Sequence, residues 1–262
     1  MEFVDTHAHI QFKNYPYDPE LTWQEARQAG VTRLLVVGCD VESSQSAVEF
    51  AVAHDDVYAV VGVHPHEAAK FLADPDGNTK LEALLKSTKN NKIVAIGEFG
   101  LDYYYHHSPK KDQQALLRYQ LELAQAHKLP VVLHIRDAFE DFWPIFDTIH
   151  QQSPFDGVVH CFSATERELN QSLKRGLYVA LNGIMTFTKD EAQLDAAKML
   201  PAERMLLETD APFLTPKPLR GKICKPEHVV LTAQFLADLR GESLQSLADA
   251  TTKNAKRLFK FV

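Results

Sequence analysis

The chain has 262 residues, of which 45% are hydrophobic and 24% charged, the composition of an ordinary globular protein with a large core. No apolar run approaches the roughly 18 residues that a membrane helix needs, so we expect no membrane partner. The net charge of −7 argues against a protein that coats duplex nucleic acid, but not against an enzyme that contacts a few phosphates. Three dispersed cysteines favour a reducing compartment, so the sequence predicts a soluble, cytoplasmic protein.

Short apolar segments alternate with amphipathic segments along most of the chain. Apolar runs that are polar on neither face are typical of strands in a parallel sheet. The amphipathic segments have helical spacing, most clearly at 111–128. The predicted strands are 3–9, 33–38, 57–63, 93–98, 131–134, 157–161, 177–182 and 205–210. The predicted helices are 20–30, 43–54, 81–89, 111–128, 139–151, 166–175 and 191–200, and a wholly helical tail covers 226–261.

The number of strand–helix pairs indicates the fold class. Eight alternating pairs in a chain close to about 250 residues favour a closed barrel of parallel strands surrounded by helices. We therefore predict a single domain, residues 1–262, of the α/β class, folded as a (β/α)8 TIM barrel with a C-terminal helical tail. A doubly wound open sheet is the structural alternative, and the positions of the polar residues help to decide between them.

Histidines and carboxylates occur at the downstream ends of five predicted strands. In a barrel these ends form one ring, so residues far apart in sequence meet there. A lone histidine is more often a packing residue, and a lone acid a helix cap or ion-pair partner. Gathered together without a metal, however, the carboxylates would repel one another. The sequence therefore predicts a site for two divalent ions that share a carboxylate. The expected ligands are His7, His9, Glu98, His134, His160 and Asp210.

The first strand illustrates why the spacing matters. Side chains alternate between the two faces of a strand, so His7 and His9 project to the same side, together with Asp5. Neutral imidazoles suit zinc, manganese, iron and cobalt. We expect Asp5 to orient one of the two rings from behind.

The third strand leads into Gly62-Val63-His64-Pro65-His66. Gly62 allows another part of the protein or a ligand to approach closely. His64 lies at the same ends of the strands as the expected ligands, and Pro65 makes His66 a turn residue. We expect both histidines to contact substrate, with a purely structural turn histidine as the alternative for His66.

Basic residues supply further candidate substrate contacts. Arg136 follows the fifth strand, and its guanidinium has the fork geometry that suits phosphate, with an ion pair to Asp102 or Asp137 as the alternative. The proline-rich loop 212–226 carries a cluster of positive charge, which we expect to bind phosphate. A solvated surface loop would have a similar composition. The basic residues of this loop are Lys217, Arg220, Lys222 and Lys225.

Six motifs spread over nearly the whole chain resemble those of a known family. They occur in order and with fitting intervals. Together they resemble the TatD-type metal-dependent deoxyribonucleases, a branch of the amidohydrolase superfamily. The motifs are Asp5-Thr6-His7-Ala8-His9, Gly62-Val63-His64-Pro65-His66, Gly97-Glu98-Phe99-Gly100-Leu101-Asp102-Tyr103, Leu133-His134-Ile135-Arg136, His160-Cys161-Phe162-Ser163 and Glu208-Thr209-Asp210-Ala211-Pro212.

The resemblance implies a role for each matching residue. His7, His9, Glu98 and Asp210 would hold one metal ion, and Glu98, His134 and His160 the second. The contacts to the phosphodiester would come from His64, His66, Arg136 and the loop that contains Arg220 and Lys222. Asp210 would accept the proton of the attacking water. Glu98 would contribute to catalysis as a ligand of both ions, and Glu208 would lie behind the ligands and help to position them. The sequence departs from the family at Ala164, Cys224 and Lys225, and the last two residues put the loop's substrate contacts in question.

The activity implied is hydrolysis of phosphodiester bonds by a metal-activated water, as in a 3′–5′ exonuclease on single-stranded DNA. The expected cofactors are two divalent ions, magnesium, manganese or zinc, and the expected partner is the 3′ end of DNA, with no obligate protein partner. One alternative is an ester, lactone or amide hydrolase of the same superfamily, although such barrels often use a modified lysine where this chain has Glu98. A second alternative is a catalytically silent barrel that binds metal or nucleic acid.

Overall fold

The structure is a computed structural model that describes residues 1–86 and 92–261. It contains eight parallel strands, and each predicted strand corresponds to one of them. The strands are β1 (Phe3–Ala8), β2 (Val31–Val37), β3 (Val57–Val61), β4 (Ile93–Asp102), β5 (Val131–Arg136), β6 (Gly157–Val159), β7 (Tyr178–Leu181) and β8 (Met205–Leu207).

Helices separate the strands and complete the C-terminal part of the chain. Short 3₁₀ turns lie at Pro65–Glu67, Gly183–Thr186, Ala202–Arg204 and Pro226–His228. The helices are α1 (Pro19–Gln28), α2 (Val41–Val52), α3 (Ala68–Ala73), α4 (Gly77–Lys86), α5 (Lys110–His127), α6 (Phe139–His150), α7 (Glu166–Lys174), α8 (Glu191–Met199), α9 (Val229–Arg240) and α10 (Leu244–Phe259).

The order of the strands confirms the predicted fold class. In the sheet the strands follow one another in chain order from β1 to β8, as in a (β/α)8 barrel. The first strand also lies beside the end of the last, because the amide of Asp210 donates to the carbonyl of His7 and the amide of His9 to that of Ala211. This pairing of first and last strands distinguishes a barrel from the open-sheet alternative.

The chain forms two compact units. The first unit is Met1–Val36 with Val159–Val262, and the second is Val37–Val158. In the first unit, α10 packs on β1 and β8, and in the second, α5 packs on β4. The expectation that residues 1–262 make one domain stays a prediction.

Several predicted element boundaries were wrong. Six strands end earlier than predicted. Three of them, β1, β6 and β8, end at Ala8, Val159 and Leu207, so His9, His160 and Asp210 lie just beyond their strands. The reason is local at two of these ends, because Cys161 and Asp210 adopt left-handed conformations with φ of 51° and 60°. β4 instead continues four residues past Glu98, since Phe99 and Leu101 are buried and pair with β5.

Two predicted helical regions also differ. The predicted helix 81–89 begins earlier, at Gly77, and its residues 87–89 lie outside the described part of the chain. The tail 226–261 is not wholly helical, because Gly241 ends α9 in a left-handed conformation with φ of 68° before α10 begins at Leu244. Within the described residues, no helix is long and apolar enough to cross a membrane.

Gly62 confirms the expected close approach. A Cβ at this position would lie 2.5 Å from the carbonyl oxygen of Gly97, the residue before Glu98. Any larger residue would push β3 away from β4. The glycine therefore lets β3 pack closely against the part of β4 that carries Glu98.

Candidate metal centre

The first unit gathers a group of three histidines and one aspartate, His7, His9, His160 and Asp210, which we call the first cluster. His7 and His9 lie at the end of β1, and His160 follows β6. The backbone hydrogen bonds between His7 and Asp210 and between His9 and Ala211 place Asp210 beside both β1 histidines. Residues that are about 200 positions apart in sequence therefore meet because β1 lies next to β8.

The donor atoms of the first cluster converge. The Nε2 atoms of His7 and His9 are 3.2 Å apart, and they lie 3.9 and 3.3 Å from the same oxygen, Oδ1 of Asp210. The ring of His160 stacks on that of His7 with centroids 3.7 Å apart. All three histidines are buried, whereas the side chain of Asp210 is 15% exposed. The arrangement resembles a set of ligands around a cation with one side open.

Two further buried carboxylates support the first cluster from behind. One oxygen of Glu208 lies 3.1 Å from Nδ1 of His160, while the other accepts hydrogen bonds from the amide of Cys161 and the side chain of Asn182. Glu208 thus fixes the orientation of the His160 ring, as the resemblance implied.

Asp5 differs from expectation in the contacts that it makes. Its carboxylate accepts hydrogen bonds from the hydroxyl and amide of Thr209 and from the backbone amide of His7. Burial raises the pKa of Asp5 to about 8 in spite of these three donors. These contacts therefore connect Asp5 to the backbones of His7 and Thr209, and none of them is to a histidine ring.

The second unit gathers His64, Glu98 and His134, which we call the second cluster. His64 follows β3, Glu98 is on β4 and His134 is on β5. Oε1 of Glu98 lies 2.9 Å from Nδ1 of His134 and 3.6 Å from Nε2 of His64. His64 was expected to contact substrate, but it lies as close to Glu98 as a ligand of the same ion would. The sequence reasoning did not name His64 as a possible ligand, and its expected contact with substrate stays a prediction.

Asp102 is the second residue that the sequence reasoning missed, since it entered only as an alternative partner for Arg136. Its Oδ2 lies 3.0 Å from Nε2 of His134 and 3.0 Å from Nε2 of His66. A usable signal was present, because Asp102 is four residues after Glu98 and therefore on the same side of an extended strand. His66 lies in the 3₁₀ turn, as its proline neighbour indicated, and is held by Asp102.

The charges of these groups follow from their surroundings. Burial alone would raise the pKa of Asp210. The hydrogen bond with His9 and the nearby rings of His160 and His7 outweigh the effect of burial, so the pKa of Asp210 lies below its usual value. Burial likewise opposes ionisation of Asp102, yet the contacts with His134 and His66 bring its pKa far below the usual range. Burial lowers the pKa of His64, so this ring is neutral near pH 7. Neutral imidazoles and ionised carboxylates are the forms that bind metal ions.

The contacts of His134 test whether a metal ion fits. Both of its ring nitrogens face carboxylate oxygens, Nδ1 towards Glu98 and Nε2 towards Asp102. A neutral imidazole has only one N–H, so it can donate to only one of the two carboxylates. A cation held by Glu98 and Nδ1 would leave the proton on Nε2 for Asp102, which is the usual arrangement for a metal-binding histidine. The nitrogen and oxygen donors of both clusters therefore fit divalent ions.

Each unit brings some of the predicted ligands together. His7, His9, His160 and Asp210 converge in the first cluster, and Glu98 and His134 converge in the second. The expectation that Glu98 serves two ions stays a prediction, as does the assignment of His160 to the second ion.

The predicted substrate contacts are mostly exposed. The guanidinium of Arg136 lies 4.0 Å above the ring of Tyr104, so it is held by an aromatic side chain. Arg220 lies 3.8 Å above the ring of Phe187 and donates to the carbonyl of Thr215, and Lys222 is exposed. Lys225, one of the departures from the family, forms an ion pair with Glu25.

Comparison with known proteins identifies relatives along the whole chain. Residues 4–260 match the family described as TatD related DNase. The uncharacterized metal-dependent hydrolase YabD of Bacillus subtilis is 36% identical over 256 residues, 98% of each chain. The 3′-5′ ssDNA/RNA exonuclease TatD of Pantoea ananatis is 35% identical over 264 residues, 97% of this chain and 98% of its own. The crystal structure of YJJV, a TatD homolog from Escherichia coli, gives a TM-score of 0.90 at 30% identity over 98% of each chain.

The alternative of an ester, lactone or amide hydrolase has weaker support. An organophosphorus hydrolase from Deinococcus radiodurans matches 98% of this chain with a TM-score of 0.67, but at 14% identity this likeness shows a common fold alone. The predicted family, the (β/α)8 fold and the hydrolytic class of enzyme are confirmed together, and the chain belongs to the TatD-related DNase family.

Proposed function

We propose that the protein is a metal-dependent 3′–5′ exonuclease that hydrolyses phosphodiester bonds of single-stranded DNA. The observation that carries the proposal is the convergence of buried imidazoles and carboxylates at the ends of barrel strands, in a chain of this family. The name of the Pantoea ananatis relative adds single-stranded RNA as a second class of substrate.

The two clusters supply the ligands for two divalent ions. His7, His9, His160 and Asp210 belong to the first cluster, and Glu98 and His134 to the second, with Glu98 as the expected shared ligand. When bound, the ions supply positive charge to the phosphoryl oxygens and make a coordinated water acidic near neutral pH. Zinc, manganese and magnesium all remain candidates, because mixed imidazole and carboxylate ligands select among them weakly.

The chain's own residues perform the remaining chemistry. Asp210 is ionised and partly exposed, so its carboxylate can accept the proton of the attacking water. Neutral His64 and cationic Arg136 are placed to bind oxygens of the phosphodiester and to stabilise the charge that develops there. Arg220 and Lys222 bind phosphates further along the strand.

A labelled oligonucleotide tests the proposal. Single-stranded DNA labelled at its 5′ end should give a ladder that shortens from the 3′ end in the presence of magnesium, manganese or zinc. Chelation should stop the reaction, and re-added metal should restore it. Glu98→Ala should remove activity, whereas Glu82→Gln, which alters an exposed carboxylate paired with Lys86, should not.

Two outcomes would contradict the proposal. Degradation that survives Glu98→Ala would discard the two-ion scheme, and tight DNA binding without turnover in any metal would support the silent barrel. The rate at which RNA of the same sequence is degraded in the same assay, compared with the rate for DNA, shows which sugar the enzyme prefers.

The cellular setting is part of the same proposal. The three cysteines are thiols rather than disulfides, which agrees with the expected reducing cytoplasm. We expect the 3′ end of DNA to be the partner and no other protein to be required.

A further inference from the structure

Five ring-bearing residues, 103–107, follow β4 in a row, and the last four of them are exposed. Tyr104, Tyr105, His106 and His107 are all exposed, and we call them the aromatic turn. Tyr104 is 54% exposed and Tyr105 43%, although large aromatic side chains usually bury most of their surface. The proposed mechanism assigns no role to these rings. Either these exposed rings bind a ligand, or their exposure has no function.

The backbone of the aromatic turn is held firmly at both ends. Oδ1 of Asp102 accepts hydrogen bonds from the amides of Tyr104 and Tyr105, at 3.0 and 2.9 Å. Gln113 bonds the backbone at Asp102 and at Ser108, and the Ser108 hydroxyl donates to the carbonyl of His66. The turn is therefore preorganised, so that a ligand on its rings would not have to order the backbone.

The turn is connected to the second cluster through one carboxylate. Asp102 uses Oδ1 for the turn and Oδ2 for Nε2 of His134 and of His66. The ring of His66 contacts those of Tyr105 and His107, with centroids 5.4 and 4.6 Å apart. The exposed tyrosines thus lie one side chain away from residues that we place in the hydrolytic site.

A cation accompanies the exposed rings. The guanidinium of Arg136 lies 4.0 Å above Tyr104 and 4.9 Å from the centre of Tyr105. Exposed aromatic rings beside a cation are the surface that single-stranded nucleic acids require, because bases stack on the rings while the cation attracts the backbone. A surface for a protein partner would have no need of this proximity to the hydrolytic residues.

We propose that Tyr104 and Tyr105 form a stacking site for a base of the single-stranded substrate, next to the scissile phosphodiester, with Arg136 binding the adjoining phosphate. The inference rests on the proposed nuclease function and extends it to a base-binding subsite. Stacking requires only a π face, so the site accepts all four bases. It excludes paired bases, whose faces are covered by their neighbours, and so favours single strands.

Abasic oligonucleotides test this stacking site. The wild-type protein is compared with Tyr104→Ala/Tyr105→Ala on a single-stranded oligonucleotide with all bases present, and on copies that lack one base near the 3′ end. At one of these positions, loss of the base should raise the wild-type KM about tenfold, the effect of removing one stacked base. The double variant should show the raised KM on the intact strand and no further rise on the abasic strand.

Matched controls separate stacking from folding. Tyr104→Phe/Tyr105→Phe keeps both π faces and should retain the wild-type KM, and Leu72→Ala, at another exposed apolar residue, should do the same. Equal activity of the double alanine variant and the wild type on the abasic strand would show that the hydrolytic site is intact.

The outcomes distinguish this proposal from the proposed function. If the wild type degrades oligonucleotides and the double alanine variant keeps the wild-type KM, or raises KM equally on intact and abasic strands, the stacking site is refuted and the nuclease stands. If the wild type degrades no oligonucleotide in any metal, both proposals fail.

Discussion

The two clusters contain the same kinds of side chain but use their carboxylates differently. In the first cluster, Asp210 faces Nε2 of His7 and of His9. Behind it, Glu208 contacts Nδ1 of His160 and the amide of Cys161, and Asp5 binds backbone amides. In the second cluster, two carboxylates, Glu98 and Asp102, both contact the same ring of His134.

The different contacts of these carboxylates indicate how each cluster can hold an ion. The first cluster presents several nitrogens to one partly exposed carboxylate, Asp210. Of its two supporting acids, Glu208 also contacts an imidazole, whereas Asp5 accepts hydrogen bonds from amides and a hydroxyl. In the second cluster, His134 lies between two carboxylates, and a proton on the nitrogen that faces Asp102 would leave the other nitrogen for an ion. We infer that the first cluster serves to gather ligands. In the second cluster, Asp102 also orients the ring of His134 and the backbone of the aromatic turn.

The largest expected effects come from the carboxylates that face the imidazoles. Glu98→Gln in the second cluster and Asp210→Asn in the first should each lower kcat on single-stranded DNA by about 10³-fold or more, since each removes a charge from the ion or the reacting water. Kinetics should be accompanied by measurement of bound metal. A variant of either residue that keeps wild-type kcat would exclude its cluster from the chemistry.

The supporting carboxylates provide a more direct comparison. Asp102→Asn and Glu208→Gln should each weaken metal binding or activity by about 10- to 100-fold, the usual cost of removing a partner of a ligand histidine. Of the two variants, Asp102→Asn alone should also raise KM for an intact oligonucleotide relative to an abasic one, because Asp102, unlike Glu208, accepts hydrogen bonds from the amides of the aromatic turn. Identical effects of the two variants on every substrate would remove the distinction between the clusters.

The basic loop lies in the first unit and should affect binding alone. Arg220→Gln/Lys222→Gln should raise KM for an oligonucleotide several-fold and reduce its salt dependence, because about two phosphate contacts are lost. A small phosphodiester should show little change in KM. Equal increases for both substrates would refute contacts along the strand.

A still smaller effect concerns the stability of the fold and involves His228. Burial, together with Lys225 and Lys222, lowers the pKa of His228 from 6.5 to about 4. The unfolded chain then takes up a proton at higher pH than the folded chain, so stability is lost as pH falls from 6.5 towards 4. His228→Gln should lessen the fall in Tm over this range, unlike His106→Gln at an exposed histidine. Parallel curves of Tm against pH for wild type and His228→Gln would contradict the prediction.

Much of the fold could be predicted from local patterns. Buried parallel strands have runs such as Leu34 to Val37 that are apolar on both faces, and this pattern located all eight strands. The ends were less predictable, because left-handed residues such as Asp210 terminate extended structure without a glycine as a signal. In β4 the opposite occurred, since the strand predicted to end at Glu98 continues to Asp102.

The same limit applies to the candidate site. Strand periodicity placed His7 and His9 on one side, and the motif order identified the remaining histidines and acids. Their distances from one another, however, depend on which strands are neighbours. The contacts of His64 with Glu98 and of Asp102 with His134 were not predicted, because the two residues of each pair come from different strands.

Periodicity and motif order are properties of the sequence alone. They were enough to predict the alternation of strands and helices, the family, and the residue types available to bind metal. Only the tertiary structure decided that Asp210 meets His7 and His9, that Asp102 connects His134 with the aromatic turn, and that Tyr104 remains exposed beneath Arg136. The physical reason is that hydrogen bonds between strands and contacts between turns bring together residues whose local sequence carries no information about their partners.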